Sequence, residues 1–279
     1  MDELAFAAAL LSALTYAGWN AAARTRPDPG QGFAIVVIAA GFVALPGLFL
    51  FGLPATEALP WMLGGMVFNL VSMRAIMATY RRTPFAVGFP IARGLTPPLV
   101  ALAAMAFGSE ALSTGAVVGI IAVSASLLVL GLHALDRRKA DPSGLALAAL
   151  SSLFAAGYVY MDAAGARASG SVLAYGCTLA VANAITLGVL GALEGRSPLR
   201  FTAAEWRFGV LASIVSMASY LLLLFAFTRA PMGPVSAIRE TSVLFATALA
   251  AWFLKEKVGP VEWLAAAVAV VGIALIRVF

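Results

Sequence analysis

The chain is a succession of apolar runs of about twenty residues, separated by short joints in which Pro, Gly and charged residues collect. The runs do not alternate apolar with polar positions, as barrel strands would. Stretches such as Leu221-Leu222-Leu223-Leu224 and Ala265 to Val271 are apolar on every side. A helix that is apolar all round needs an apolar medium, and a hydrocarbon layer about 30 Å thick is crossed by roughly 20 helical residues. That ruler predicts ten spans, at 4–23, 33–53, 61–80, 85–107, 113–135, 144–164, 170–192, 206–228, 233–253 and 259–278. The joints include Arg24-Thr25-Arg26-Pro27-Asp28, Leu53-Pro54, Arg81-Arg82-Thr83-Pro84 and Gly195-Arg196-Ser197-Pro198. The longest, Asp136 to Ser143, is too short for a soluble domain. The predicted fold class is therefore an all-α integral membrane protein with ten transmembrane helices.

Composition agrees: 62% of residues are hydrophobic, 11% are charged and the mean hydropathy is +0.97. Such a chain cannot cover itself with a solvated surface. The first span ends in Ala21-Ala22-Ala23, which resembles a signal-peptide cleavage site. Its start, Met1-Asp2-Glu3, is acidic, however, and a later span matches it, so it is expected to be retained. The net charge of +5 follows from topology. With ten spans, one side carries Arg24, Arg26, Arg81, Arg82, Arg137, Arg138, Lys139, Arg196, Arg200, Arg207, Lys255 and Lys257, and the other carries Arg167, Arg229 and Arg277. The basic side is the cytoplasmic one, which places both termini in the periplasm of a bacterial inner membrane and makes a nucleic-acid partner unnecessary.

The chain also repeats. Ser12-Ala13-Leu14-Thr15-Tyr16-Ala17-Gly18-Trp19 aligns with Ser151-Ser152-Leu153-Phe154-Ala155-Ala156-Gly157-Tyr158 at an offset of 139. Trp61 and Gly64 align with Trp206 and Gly209 at 145, and Arg93, Thr96, Phe107 and Glu110 with Arg239, Ser242, Phe253 and Glu256 at 146. This divides the chain into a five-helix repeat over 1–135, a basic cytoplasmic linker over 136–143 and a second repeat over 144–279. Five is odd, so the second copy enters the membrane from the opposite side. Inverted repeats are a recurring plan of secondary transporters, whose two halves exchange conformations around a central site.

An arginine in hydrocarbon costs a few kcal/mol or more and faces a bundle interior or a water-filled path. Arg93 and Arg239 are such residues, and with Asn20, Asn69, Thr96, Ser236 and Glu240 they are the polar candidates for a cavity wall. Trp19, Phe89, Tyr158 and Tyr220, with Met73, Met77 and Met161, supply aromatic and sulfur surface for an apolar side chain. An arginine holds a carboxylate in two parallel hydrogen bonds, and Glu240 is placed to meet an ammonium group. The competing reading is structural: Glu240 neutralises a cationic neighbour across helices, with Arg93 the candidate, since adjacent Arg239 and Glu240 point about 100° apart. Pro90, Pro97, Pro98 and Pro234 are either hinges or prolines that membrane helices simply tolerate. Trp61, Trp206, Trp252 and Trp263 read as interfacial anchors and Glu110 and Glu256 as caps. Cys177 reads as a packing residue, and Gly115, Gly119 and Gly272 as a close contact between the fifth and tenth helices.

The aromatic after Gly near the end of the first helix of each half, and Glu-Ala-Leu-Ser or Glu-Lys-Val-Gly between the fourth and fifth, resemble the drug/metabolite transporter superfamily. Within it the chain looks EamA-like and is most similar to the bacterial aromatic amino-acid exporters, also linked to methyl viologen efflux. The resemblance implies a central cavity lined mainly by the first, third, fourth, sixth, eighth and ninth helices, with the fifth and tenth peripheral. It implies export of amphipathic metabolites, above all aromatic or large apolar amino acids, by alternating access; multidrug or organic-cation efflux is the alternative. No cofactor or metal is expected: the chain has one His, one Cys, no acidic cluster and no nucleotide-binding Gly-x-x-x-x-Gly-Lys loop. A channel would show repeated filter residues from symmetric subunits. Glu240, Asp162 near a span end and His133 are the titratable groups for proton coupling, with passive diffusion the alternative. The expected partners are a small-molecule substrate and the bilayer, and one chain holding both halves suffices as a monomer.

Overall fold

The computed structural model describes residues 1–24, 26, 28–108, 110–137, 141–195, 201–245 and 259–279. Helices α1 (Glu3–Arg24), α2 (Pro29–Phe51), α3 (Leu59–Tyr80), α4 (Phe85–Phe107) and α5 (Thr114–Arg137) form the first half. They are followed by α6 (Pro142–Ala168), α7 (Val172–Leu193), α8 (Ala203–Arg229), α9 (Met232–Glu240) and α10 (Pro260–Val278), with a 3₁₀ turn at Thr56–Ala58 ahead of α3. Among the described residues nine helices are long and apolar enough to cross a membrane. The expected span over 233–253 is seen as α9, a turn at Thr241 and helical residues 242–245. The rest of it lies outside the described residues, with Trp252, Phe253 and Glu256. At the two ends of the linker expected at 136–143, α5 ends at Arg137 and α6 begins at Pro142.

Helix starts are set by side chains that satisfy the first free amides. Asp28 accepts from the Gln31 amide, Asp141 from that of Ser143 and Ser171 from that of Ala174, and Thr202 and Glu205 form a reciprocal capping box. The Ser143 hydroxyl and amide both donate to Asp141, which holds its carboxyl below the ordinary carboxylate range. Large apolar side chains on the outside, among them Phe49 at 88% exposure, give the bundle the surface that lipid requires.

Packing follows a regular scheme. The helix α1 lies on α8 and α3 on α6, while α2 meets α7, α4 meets α9 and α5 meets α10. Two serine clasps fasten the first two contacts. The Ser12 hydroxyl donates to the Ser219 carbonyl at 2.7 Å and that of Ser219 to the Ser12 carbonyl at 2.8 Å. Ser72 and Ser151 do the same for α3 and α6, at 3.0 and 3.1 Å. Each clasp satisfies its hydroxyls without water, which the bilayer interior does not supply.

The expected contact of α5 with α10 is present. A methyl group added at Gly119 would sit 2.6 Å from the Gly272 carbonyl oxygen, and one at Gly272 would sit 2.8 Å from that of Gly119. On the opposite side of the bundle, Gly41 and Gly47 of α2 leave room for Ala184 and Cys177 of α7, so Cys177 is buried packing as read from the sequence. The prolines Pro90, Pro97 and Pro98 sit inside a continuous α4, and Pro234 is in the first turn of α9, where a missing amide removes no helical hydrogen bond.

Replacing Gly119 by Leu forces α5 off α10. Overpacking of this kind costs about 1–3 kcal/mol, so the purified variant is expected to melt several degrees below the wild type in a detergent thermal-shift assay, whereas Gly188→Leu, with open space around it, leaves the melting point unchanged.

Candidate functional site

A cavity of about 260 Å³ opens between the two halves, and Arg93, Asp162, Arg239 and Glu240 are in its wall. Its walls come from eight helices. The face of α6 that carries Tyr158, Val159 and Asp162 meets Ser216, Met217 and Tyr220 of α8, and Ser236, Arg239 and Glu240 project from α9. Tyr16 and Trp19 of α1, one helical turn apart, and Arg93 of α4 complete the charged end. The helices α2 and α7 also contribute, through Val36, Val37 and Ala40 and through Gly176, Leu179, Ala180 and Asn183. The resemblance did not include these two among the main lining helices. No residue of α5 or α10 lines the cavity, in keeping with their expected peripheral place.

Tyr16 organises the charges. Arg93 donates to its hydroxyl at 2.8 Å and to Glu240 Oε1 at 3.2 Å, and the Arg239 guanidinium stacks on its ring, 3.8 Å from the centroid. The Arg93 side chain also lies over the Phe89 ring at 5.3 Å. Glu240 therefore pairs across helices with Arg93, the structural alternative read from the sequence. Arg239 behaves differently. Its Nη1 donates to the Ser12 carbonyl at 3.0 Å and to the Ser219 hydroxyl at 3.4 Å, and among the described residues Nε and Nη2 have no protein acceptor. Two arginines 146 residues apart in sequence thus differ in their partners: one is neutralised by a carboxylate, the other keeps part of its hydrogen-bonding fork available.

Of the residues expected to form the site, Trp19, Asn69, Arg93, Tyr158, Tyr220, Ser236, Arg239 and Glu240 line the cavity. Five others do not. Asn20 bonds back to the Tyr16 carbonyl of its own helix. Met73 and Met77 are about half exposed on the outside of α3, since each four-residue step from Asn69 turns the helix by about 40° away from the cavity. The sulfur of Met161 packs on Gly64, because Met161 points about 100° away from Asp162. Phe89 stacks on Phe85 at 4.8 Å behind Arg93. Thr96 donates to the Ala92 carbonyl.

Sequence reasoning left out Tyr16, although its place three residues before Trp19 puts both on one face, and Asn183, a polar residue within apolar α7. It placed Asp162 near a span end, whereas Asp162 is buried in the cavity wall, well inside α6. It also left out Arg74, an arginine within the third apolar run, which reaches Glu194 at the end of α7 at 2.8 Å. Glu110 is a cap, as read: it accepts from the Met232 amide in the first turn of α9 and pairs with Arg167 at 2.6 Å.

Residues 142–278 match the EamA-like transporter family. The match covers the second half of the chain and supports the drug/metabolite transporter superfamily, whose members are membrane transporters. A solved structure described only as "Crystal structure of protein" superposes with a TM-score of 0.77, over 97% of this chain and 98% of that one, at 19% identity, a likeness of fold. No curated protein matches the chain. The EamA-like half supplies Tyr158, Asp162, Tyr220, Ser236, Arg239 and Glu240, the greater part of the cavity's polar wall.

The ion pair of Arg93 with Glu240 is shielded, with side-chain exposures of 24% and 5%. Removing one partner of such a pair strands the other and costs about 3–5 kcal/mol. Glu240→Gln alone is expected to lower the melting temperature sharply, and adding Arg93→Met to restore much of it. An additive double-mutant cycle in thermal denaturation would show that the pair is not coupled.

Proposed function

We propose that the protein is a ten-helix secondary transporter that exports amphipathic small metabolites, with aromatic or large apolar amino acids as substrates, by alternating access. The observation that carries the substrate class is Arg239: a guanidinium in the wall of a membrane-embedded cavity, with two nitrogens uncommitted and an aromatic ring beneath it. That arrangement suits a carboxylate, which takes two parallel hydrogen bonds from an arginine fork. Trp19, Tyr158 and Tyr220 border the same space and suit the apolar side chain.

Support for alternating access comes from the packing. Exchanging helix n for helix n+5 turns several of the principal contacts into one another: α1 on α8 becomes α6 on α3, and one serine clasp becomes the other. The pair at the cavity departs from this scheme. The helix α2 packs along α8, but its counterpart, α7 against α3, makes no comparable approach, and the cavity lies between them. Two equivalent seams, one closed and one parted, are what one end state of a rocking two-fold transporter requires. The basic joints support a reading with periplasmic termini, in which export runs from the lysine- and arginine-rich face.

The test is counterflow of labelled phenylalanine, tryptophan and methionine into proteoliposomes, with and without a pH gradient. Saturable counterflow is expected, and Arg239→Gln should weaken it by roughly tenfold or more, the worth of a charge-assisted hydrogen bond. Unchanged transport by that variant removes Arg239 from the site, and absence of counterflow in the wild type removes the amino-acid assignment.

A further inference from the structure

Asp162 is a carboxylate in the cavity wall with no ion-pair partner among the described residues. It is 7% exposed, one helical turn beyond Tyr158 on the same face of α6. Its Oδ2 accepts from the Tyr220 hydroxyl at 2.6 Å and its Oδ1 from the Tyr175 hydroxyl at 3.4 Å. Across from it, α3 comes close enough that a methyl group at Gly65 would sit 2.7 Å from Oδ1. Among the described residues no arginine, lysine or histidine bonds to it, whereas Glu240 has Arg93 and Glu110 has Arg167.

Two phenolic donors fill part of the acceptor capacity of an ionised carboxylate, which has about four lone-pair sites. They bring no opposite charge, and an uncompensated charge at this depth is expensive. The cavity thus presents an arginine with spare donors on α9 and an acid with spare acceptor capacity on α6. Tyr220 sits between these two sites: it donates to Asp162, and its neighbour Ser219 accepts from Arg239.

We infer that Asp162, held by Tyr220 and Tyr175, is the subsite for a primary ammonium group of the transported molecule. The inference rests on the amino-acid reading of the cavity and corrects it in one respect. Glu240, the acid that sequence reasoning offered to the ammonium, is occupied by Arg93. The ammonium brings three donors and a full positive charge to a carboxylate that lacks both, and the rings of Tyr220 and Tyr158 border its approach.

Three probes separate the charges: phenylalanine, phenethylamine with the ammonium alone, and 3-phenylpropanoate with the carboxylate alone. Binding to the purified full-length protein is measured by calorimetry for the wild type, Asp162→Asn and Arg239→Gln. Asp162→Asn, which preserves shape and keeps one acceptor for a tyrosine hydroxyl while its NH2 donates to the other, is expected to weaken phenylalanine and phenethylamine by roughly tenfold or more and to leave 3-phenylpropanoate unchanged. Arg239→Gln is expected to do the reverse with the two half-molecules. Retained 3-phenylpropanoate binding is also the control for folding. Equal loss of all three probes in Asp162→Asn, or no loss of any, overturns the subsite. If the wild type binds phenylalanine and Asp162→Asn matches it, the amino-acid reading stands and the subsite falls. If only phenethylamine binds, and only with Asp162 present, the subsite stands and the amino-acid reading falls. A wild type that binds none of the probes overturns both.

Discussion

A guanidinium inside a bilayer must find acceptors within the protein, and the interior of this bundle is arranged around meeting that demand twice with one tyrosine. Tyr16 of α1 gives its hydroxyl to Arg93 of α4 and its ring to Arg239 of α9. A single side chain thereby fixes where α4 and α9 stand. The arrangement holds only if α1 itself is fixed, and the Ser12 and Ser219 clasp does this by locking α1 to α8 without water. The Ser12 carbonyl then accepts from Arg239 as well. Charge placement, helix registration and cavity shape are therefore one problem rather than three: a shift of α1 by one turn would take Tyr16 from both arginines and the Ser12 carbonyl from Arg239.

Much of the fold was legible because length and apolarity decide it. Nine helices lie within a few residues of the runs read from the sequence, and the joints fall where proline and charge do. The close approach of Gly119 to Gly272, the cap at Glu110 and the pairing of Glu240 with Arg93 were readable too, since each follows from residue chemistry at a known depth. The orientation of each helix about its axis was not. Met73 and Met77 face outward and Val36, Val37 and Ala40 face the cavity, yet nothing in those runs distinguishes the two sets. In water, polar residues mark the outer face of a helix; in lipid the outer face is apolar as well, and the periodic signal disappears. Only polar residues report orientation there, which is why the arginines were found and the α2 wall was not.

The frame is more symmetric than the chemistry it holds. The two serine clasps are near-identical in geometry, and they join α1 to α8 and α3 to α6, contacts that interchange when helix n is exchanged for helix n+5. The acids have no such counterparts. At the repeat offsets, Glu240 faces Gly94 and Asp162 faces Ala23, so both carboxylates of the cavity come from the second half. If the frame is to rock between two equivalent states, its backbone contacts must be interchangeable, and the clasps and glycine contacts suit that. A bound molecule with two different ends needs the opposite property, because a symmetric set of charges would hold it equally well in either direction.

The parted pair of helices is not empty of contacts. Side chains bridge α3 and α7 at both ends: Ala58 and Met62 pack with Tyr175 at one, and Arg74 pairs with Glu194 at the other. Between these points α3 and α7 border the cavity. The side-chain exposures of the ionic bridge are 63% and 38%, so water and salt screen it and it contributes little to stability. A weak bridge is what the proposed alternating access would need at this seam. A strong buried pair there would hold the bundle in one state, and that kind of interaction is found instead at Arg93 and Glu240, beside the tyrosine hub.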